Sequence, residues 1–298
     1  MSSIVFFVLL AGAVAGSAVY WARNKKKRAN VYWSYLYAII GVIIMTPIYY
    51  LLVTTFKSSE EATRSPMGLP DRFTLVNYAN ALAKTNYGQA LKNNAIIVVF
   101  AVLFLIIFSS MAAYSIVKGR KWYHKLMFSV FMVGLIVPFQ ITIFPLFKIM
   151  APLKLVDNLL GVIILDVFCI NMALSIFLFK GFINTIPSEL EEAAAIDGCS
   201  VFMTFWRIIF PLFKPVIATV GILDALAVWN DFMTPLMFLP SPRNYVLLQE
   251  VSKNVGQFQT DWASLFPMLV LAVLPMVVIY IALQKYIIEG VVAGAVKG

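Results

Sequence analysis

Three carboxylates stand inside apolar sequence, where charge is expensive. Asp166 shares one apolar run with Asn171, and Asp224 and Asp231 share another, the second closing the triplet Trp229, Asn230, Asp231. An ionised carboxylate in hydrocarbon is costly unless it faces a wet cavity or a partner, so each of these residues marks a translocation path or a packing contact. A ring that can stack, beside an amide and a carboxylate, suits a polyhydroxyl ligand, and it suits interhelix packing as well. Consecutive helical residues point about 100° apart, so the triplet cannot all face one ligand. On one continuous helix Asp231, two turns after Asp224, shares its face, and Trp229 turns towards protein or lipid.

A second acidic group has another character. Between two apolar runs the chain reads KGFINTIPSELEEAAAIDGCSVFMTFWRIIFPLFKP, residues 180–215. Ser188 followed by Glu191 has the spacing of a capping box, and Glu189, Glu191 and Glu192 crowd the first turns, where the helix dipole favours negative charge. Gly198 suits a left-handed C-cap. This predicts a helix over 189–197, about 14 Å long, given high propensity and little bulk by Ala193, Ala194 and Ala195. A second helical segment over 201–210, with Phe202, Phe205, Trp206 and Ile209, is expected to lie at the membrane surface and to stop at Pro211. A helix packed back on its own bundle would carry large apolar residues where this one carries alanines and acids. Its shape is that of a knob for a partner's groove.

Other chemistry is excluded or weak. A phosphate-cradling Walker A loop needs Gly-Lys before Ser or Thr, and no Gly-Lys dipeptide occurs, so the chain is not expected to hydrolyse ATP itself and no enzyme activity is expected of it. The one histidine, His124, sits among Lys and Arg at a membrane edge, where a head-group role outweighs metal binding. Cys169 and Cys199 lie in different surroundings and no disulfide is expected.

The elements that must position these groups are membrane helices. Of 298 residues 61% are hydrophobic and 12% charged, half the charge of an ordinary globular domain. Seven apolar stretches are long enough to span: Ile4 to Trp21, then about 35–56, 95–117, 126–147 (broken by Pro138 and Pro145), 159–179, 216–239 and 265–283. The first has no basic residue before it and the cluster Arg23 to Arg28 after it, the reverse of a cleaved secretory signal, so it is expected to be retained. With that cluster inside, 14 of the 23 Lys and Arg fall on the cytoplasmic side, which puts the N-terminus out and the C-terminus in. The net charge of +9 is this membrane bias and not a nucleic-acid surface.

The order Glu192, Ala193, Ala194, Gly198, Ile208, Phe210, Pro211 resembles the EAA signature of membrane subunits in bacterial ATP-binding-cassette importers, with Phe210 where that signature prefers Leu. Together with VWNDFMTPLMFL and the closing YIIEGVVAGAVKG, it is similar to the MalG-type branch of carbohydrate permeases over residues 35–298. The resemblance implies an all-α polytopic fold: a six-helix importer core over 31–298, its coupling loop at 180–211, and an extra transmembrane helix with a basic linker over 1–30 that departs from the family.

It implies that Glu191, Glu192, Ala193, Ala194, Asp197 and Gly198 couple to a cytoplasmic ATPase. The tail Gly294, Ala295, Val296, Lys297, Gly298 is implied to reach towards the ATPase dimer. The chain then binds no cofactor, ATP and magnesium sitting in two partner ATPase subunits; a second permease and an extracytoplasmic substrate-binding protein complete the assembly in the bacterial inner membrane. The substrate is expected to be a sugar, oligosaccharide or polyol. Rival readings are a permease for another small solute and an ion-coupled secondary transporter. The second would call for duplicated or inverted halves, and no internal repeat is seen.

Overall fold

A chain that crosses lipid must pair its own backbone amides, and these apolar runs do so as helices. The computed structural model describes residues 28–119, 121–255 and 261–295. The expected first helix, the basic cluster as far as Lys27, and Val296, Lys297 and Gly298 lie outside the described residues. Among those described there is no strand. Four helices are long and apolar enough to span, and six if each of two bent pairs is one span.

One compact unit is built from residues up to Asn86 with Val251–Ala272. Its long helix α1, Arg28–Thr54, runs through Pro47. The chain beyond it is knitted by Lys57, which is fully buried and donates from Nζ to the carbonyls of Ser65 (2.7 Å) and Pro66 (3.1 Å). Burial draws the Lys57 pKa down, against Glu61 and Asp71, which raise it. Asn77 donates to the Thr55 and Lys57 carbonyls, so that α2 (Ser59–Arg64) and α3 (Val76–Lys84) are held to one turn.

The other unit covers Tyr87–Glu250 and Val273 onwards. Helix α4, Tyr87–Lys118, packs along α7, Leu159–Ile183, and then on α10, Lys214–Trp229. Ile97, Ala101 and Leu105, four residues apart on α4, are buried against a core that includes Val162, Ile176 and Phe179 of α7 and Val216 and Val220 of α10. Ala101 at that seam lets the backbones approach closely, as small residues do between membrane helices.

Helices α5 (Trp122–Ile136) and α6 (Phe139–Met150) meet at 108°. Only one of the two prolines expected to break this span does so. Pro138 biases Val137 to extended backbone and ends α5, whereas Pro145 is accommodated inside α6. The short α8 (Glu189–Ile196) follows α7, and α9 (Val201–Leu212) joins α10 at 79°.

The span expected over 216–239 is not continuous. Helix α10 ends at Trp229, and α11, Met233–Phe238, is separate. Asn230 turns its amide back onto the Leu226 carbonyl (2.9 Å), Asp231 accepts from the Thr234 amide (3.2 Å), and Pro235 brings no N–H to a ladder. These are helix-ending and helix-starting contacts of the kind Asn and Asp favour. A 3-10 turn, Pro242–Asn244, and α12, Leu247–Ser252, precede the last helix, α13, Trp262–Ala295.

Candidate coupling corner and intramembrane polar groups

Helix α8 is the length the sequence predicts, but it starts differently. Ser188 has helical backbone angles and its hydroxyl caps nothing; its carbonyl instead receives the Glu191 and Glu192 amides at 3.0 and 3.1 Å. Glu191 does not reach back to close a capping box. Its carboxylate pairs with Lys118, the last residue of α4, at 2.9 Å, with both side chains largely shielded. A charge-assisted contact outcompetes a bond to a backbone amide, which is why the box gives way.

The end of α8 is as expected. Gly198 has φ of +77°, its amide bonds to the Ala195 carbonyl (3.1 Å) and the Cys199 amide to the Ala194 carbonyl (2.9 Å), a complete Schellman closure. Ser200 then starts α9, accepting from the Met203 amide. Contrary to expectation, α9 does not stop at Pro211 but runs to Leu212. The wider i to i−5 register over Phe205–Ile209 takes the strain that a proline ring brings to the preceding turn. Phe205 anchors α9, with its ring 5.2 Å from Tyr114 of α4 and 5.0 Å from Trp206.

This corner divides cleanly into two faces. Contrary to the expectation that it faces the ATPase, Ala194 is buried against the bundle, because the helix must turn one side towards it, whereas Glu192, Ala193, Asp197 and Gly198 are exposed. Around them stand Ile196 (87% exposed), Val201 (74%) and Phe202 (66%), an apolar patch at a fixed helix joint. Lys118 was not legible as part of this site, since its place in the sequence marks it only as one of several basic residues at a membrane edge.

The intramembrane polar groups separate into two places. Asp224 is buried and accepts a 2.8 Å bond from Ser175, tying α10 to α7. Asp166 opens a π-helical turn, Asp166–Asn171, whose last residue donates from Nδ2 to the Asp166 carbonyl (3.3 Å). Because α10 ends before it, Asp231 does not share a helical face with Asp224, contrary to the expectation from their seven-residue spacing. Trp229 is buried in protein, as its angular position predicts, and Asn230 is exposed.

At the far end of this unit a second polar knot joins loops. Asp157, at φ of +58°, accepts from the Ser241 amide (3.1 Å) and Asn244 Nδ2 (3.0 Å) and pairs with Arg243 (3.5 Å). Burial pushes its carboxyl up, but the bonds from Ser241 and Asn244 and the Arg243 charge together hold it below the usual carboxylate range. Asn93 of α4 adds bonds to the Arg243 and Tyr245 carbonyls.

Among the described residues, four to six apolar spans, with breaks at Pro138 and Phe213, and a short exposed helix–glycine–helix corner mark a multi-pass membrane protein. Residues 105–292 match the family described as binding-protein-dependent transport system inner membrane component, and the chain belongs to that family. It is 34% identical to the multiple sugar-binding transport system permease protein MsmG of Streptococcus mutans, over 92% of this chain and 100% of that one. It is 33% identical to the melibiose/raffinose/stachyose import permease protein MelC of Bacillus subtilis (93% and 99%), and 32% identical to the probable starch degradation products permease AmyC of Thermoanaerobacterium thermosulfurigenes (88% and 97%). In fold it matches a chain of a bacterial ABC transporter for alginate import, with a TM-score of 0.77, 22% identity and coverage of 88% and 98%. The family and the polytopic helical fold expected from the EAA resemblance are therefore borne out.

Proposed function

We propose that this chain is one of two permease subunits of an ATP-driven importer for oligosaccharides or related polyols. The corner of α8, Gly198 and α9 docks in a cytoplasmic ATPase subunit, which supplies ATP and magnesium; a second permease completes the path and an extracytoplasmic binding protein delivers the sugar. The N-terminus lies outside and the C-terminus, with its Gly294 to Gly298 tail, on the ATPase side. The observation that carries this reading is the corner itself. A short helix with acids and small residues outward, beside an apolar patch and fixed to α4 by an ion pair and an aromatic contact, suits a rigid lever in a partner's groove.

The names of the relatives favour short oligosaccharides as cargo. Within the chain, Asn230 and Asp231 at the break between α10 and α11 are the path residues this reading favours, while Asp224 serves packing. Uptake of labelled melibiose, raffinose and maltotriose into vesicles bearing the co-expressed assembly tests it. Uptake driven by ATP and indifferent to ion gradients is expected; uptake driven by an ion gradient without ATP would contradict it.

A further inference from the structure

Helix α5, Trp122–Ile136, has no buried residue, and Leu126, Met127, Val130 and Val133 along it are exposed. An apolar helix left open to the membrane in this way is solvated by hydrocarbon, so its first turn stands where acyl chains give way to head groups. That turn is entered through KGRKWYHK, residues 118–125, in which no acid interrupts the basic residues.

Of these cations Lys118 spends its charge on Glu191. Lys121 at the N-cap and Lys125 one turn on are both exposed. Phe128 follows on the same side of the helix, since 121, 125 and 128 keep to helical spacing. Lys180, in the last turn of α7, lays its ammonium 3.9 Å from the centre of the Phe128 ring. Lys121, Lys125 and Lys180 take part in no ion pair among the described residues. Like charges one helical turn apart repel, and an anion between them relieves that.

The aromatic residues fix what kind of anion this is. Trp122 is 74% exposed, and the Lys121 ammonium lies 5.8 Å from the centre of the Tyr123 ring. Tyr123 packs against His124, with ring centres 4.4 Å apart, and a Cβ on Gly119 would run into that imidazole. The turn from α4 to α5 is thus folded tightly on itself, with Nδ1 of His124 covered and the lysines outside. Trp and Tyr beside lysines, at the end of a hydrocarbon-facing helix, belong to a lipid interface, where basic clusters recognise anionic head groups.

We propose that Lys121, Lys125 and Lys180 hold the phosphate of an anionic phospholipid whose acyl chains run along the exposed side of α5. The head-group role expected of His124 falls to the lysines around it. The lipid pins the turn between α4 and α5, three residues from the Lys118 that holds α8. The site needs neither ATPase nor sugar, so it stands apart from the proposed transport function.

The test is quenching of Trp122 fluorescence in the full chain, with its co-expressed partners, in nanodiscs of phosphatidylcholine carrying a small fraction of brominated lipid. Trp122→Phe supplies the background, so the difference isolates position 122. Brominated phosphatidylglycerol should associate on the order of fivefold better than brominated phosphatidylcholine at the same fraction, the weight of one lysine at a membrane surface. Lys121→Gln with Lys125→Gln should bring that ratio close to one, and both side chains are exposed, so the fold is not at stake. Lys180→Gln alone should lower it, Arg72→Gln, exposed in the other unit, should not, and excess inorganic phosphate should leave it unchanged. Equal quenching by the two lipids, or a preference that survives the double substitution, would overturn the proposal. Loss of the preference in inorganic phosphate would overturn it in favour of a free anion, and emission insensitive to either lipid would overturn it in favour of a protein partner on this surface.

Discussion

Lys118 closes the last turn of α4 and its ammonium lies 2.9 Å from the Glu191 carboxylate in the first turn of α8. The bond joins a membrane-spanning helix to the short helix that faces away from the bundle. Substitution of Lys118→Met or Glu191→Gln removes one partner of a largely shielded ion pair, and leaving the other without it costs about 1 to 3 kcal/mol. Both variants should insert normally yet retain less ATPase subunit on purification. The double reversal Lys118→Glu with Glu191→Lys should restore part of the loss, and a double-mutant cycle on copurified ATPase measures the coupling.

Gly198 is a position where backbone, not space, sets the requirement. A Cβ there would meet nothing within 4 Å, but φ is +77°. Gly198→Ala should therefore cost only the left-handed penalty of roughly 1 to 2 kcal/mol. Gly198→Pro cannot adopt that φ and deletes the amide that closes on Ala195, so it should abolish ATP-driven uptake while membrane insertion persists. Equal uptake by the two variants would contradict the role of the joint.

Much of this corner was legible in the sequence because local chemistry decides it. Helix length and the C-cap at Gly198 follow from propensity, spacing and φ requirements, whereas the inward turn of Ala194 depends on how the bundle packs above it. The capping box was misread because Glu191 has a nonlocal partner, and nothing near Ser188 in the sequence indicates Lys118. The face shared by Asp224 and Asp231 failed for a different reason: the apolar run continues through Asn230, but local hydrogen bonds from Asn230 and to Asp231 end one helix and start another. Hydrophobicity over a span conceals such a break, just as it conceals that Pro145 is tolerated where Pro138 is not.

Asp224 and Asp231 should part experimentally. Ser175→Ala leaves the buried Asp224 carboxylate without its donor and should destabilise the chain by about 1 to 3 kcal/mol. Asp224→Asn should rescue most of that, since a neutral amide tolerates burial better. Thermal melts of the two single variants and the double variant in nanodiscs check this; a Ser175→Ala variant as stable as the parent would remove Asp224 from packing.

The loop knot at Asp157 predicts a pH dependence of definite sign. A carboxyl whose folded pKa is lowered contributes stability above its unfolded value, about 3.9, and that stability is lost as pH falls through the folded value. The lowering comes from Ser241, Asn244 and Arg243 acting against burial. Unfolding temperature should therefore fall more steeply below about pH 4 in the parent than in Asp157→Asn, whose amide keeps the left-handed backbone. Parallel curves in acid would show that the knot does not act through this charge.

The central claim is that the corner around Gly198 seats in an ATPase subunit, and a photo-cross-linking residue at the exposed position of Ala193 tests it most directly. With the transporter assembled in cells, illumination should give a covalent adduct between this chain and its ATPase subunit, whose yield changes between nucleotide-free and ATP-trapped states. The same residue placed at Ile39, exposed on α1, should give no such adduct. An assembled, transporting complex that yields no ATPase adduct from position 193 in either state would contradict the account.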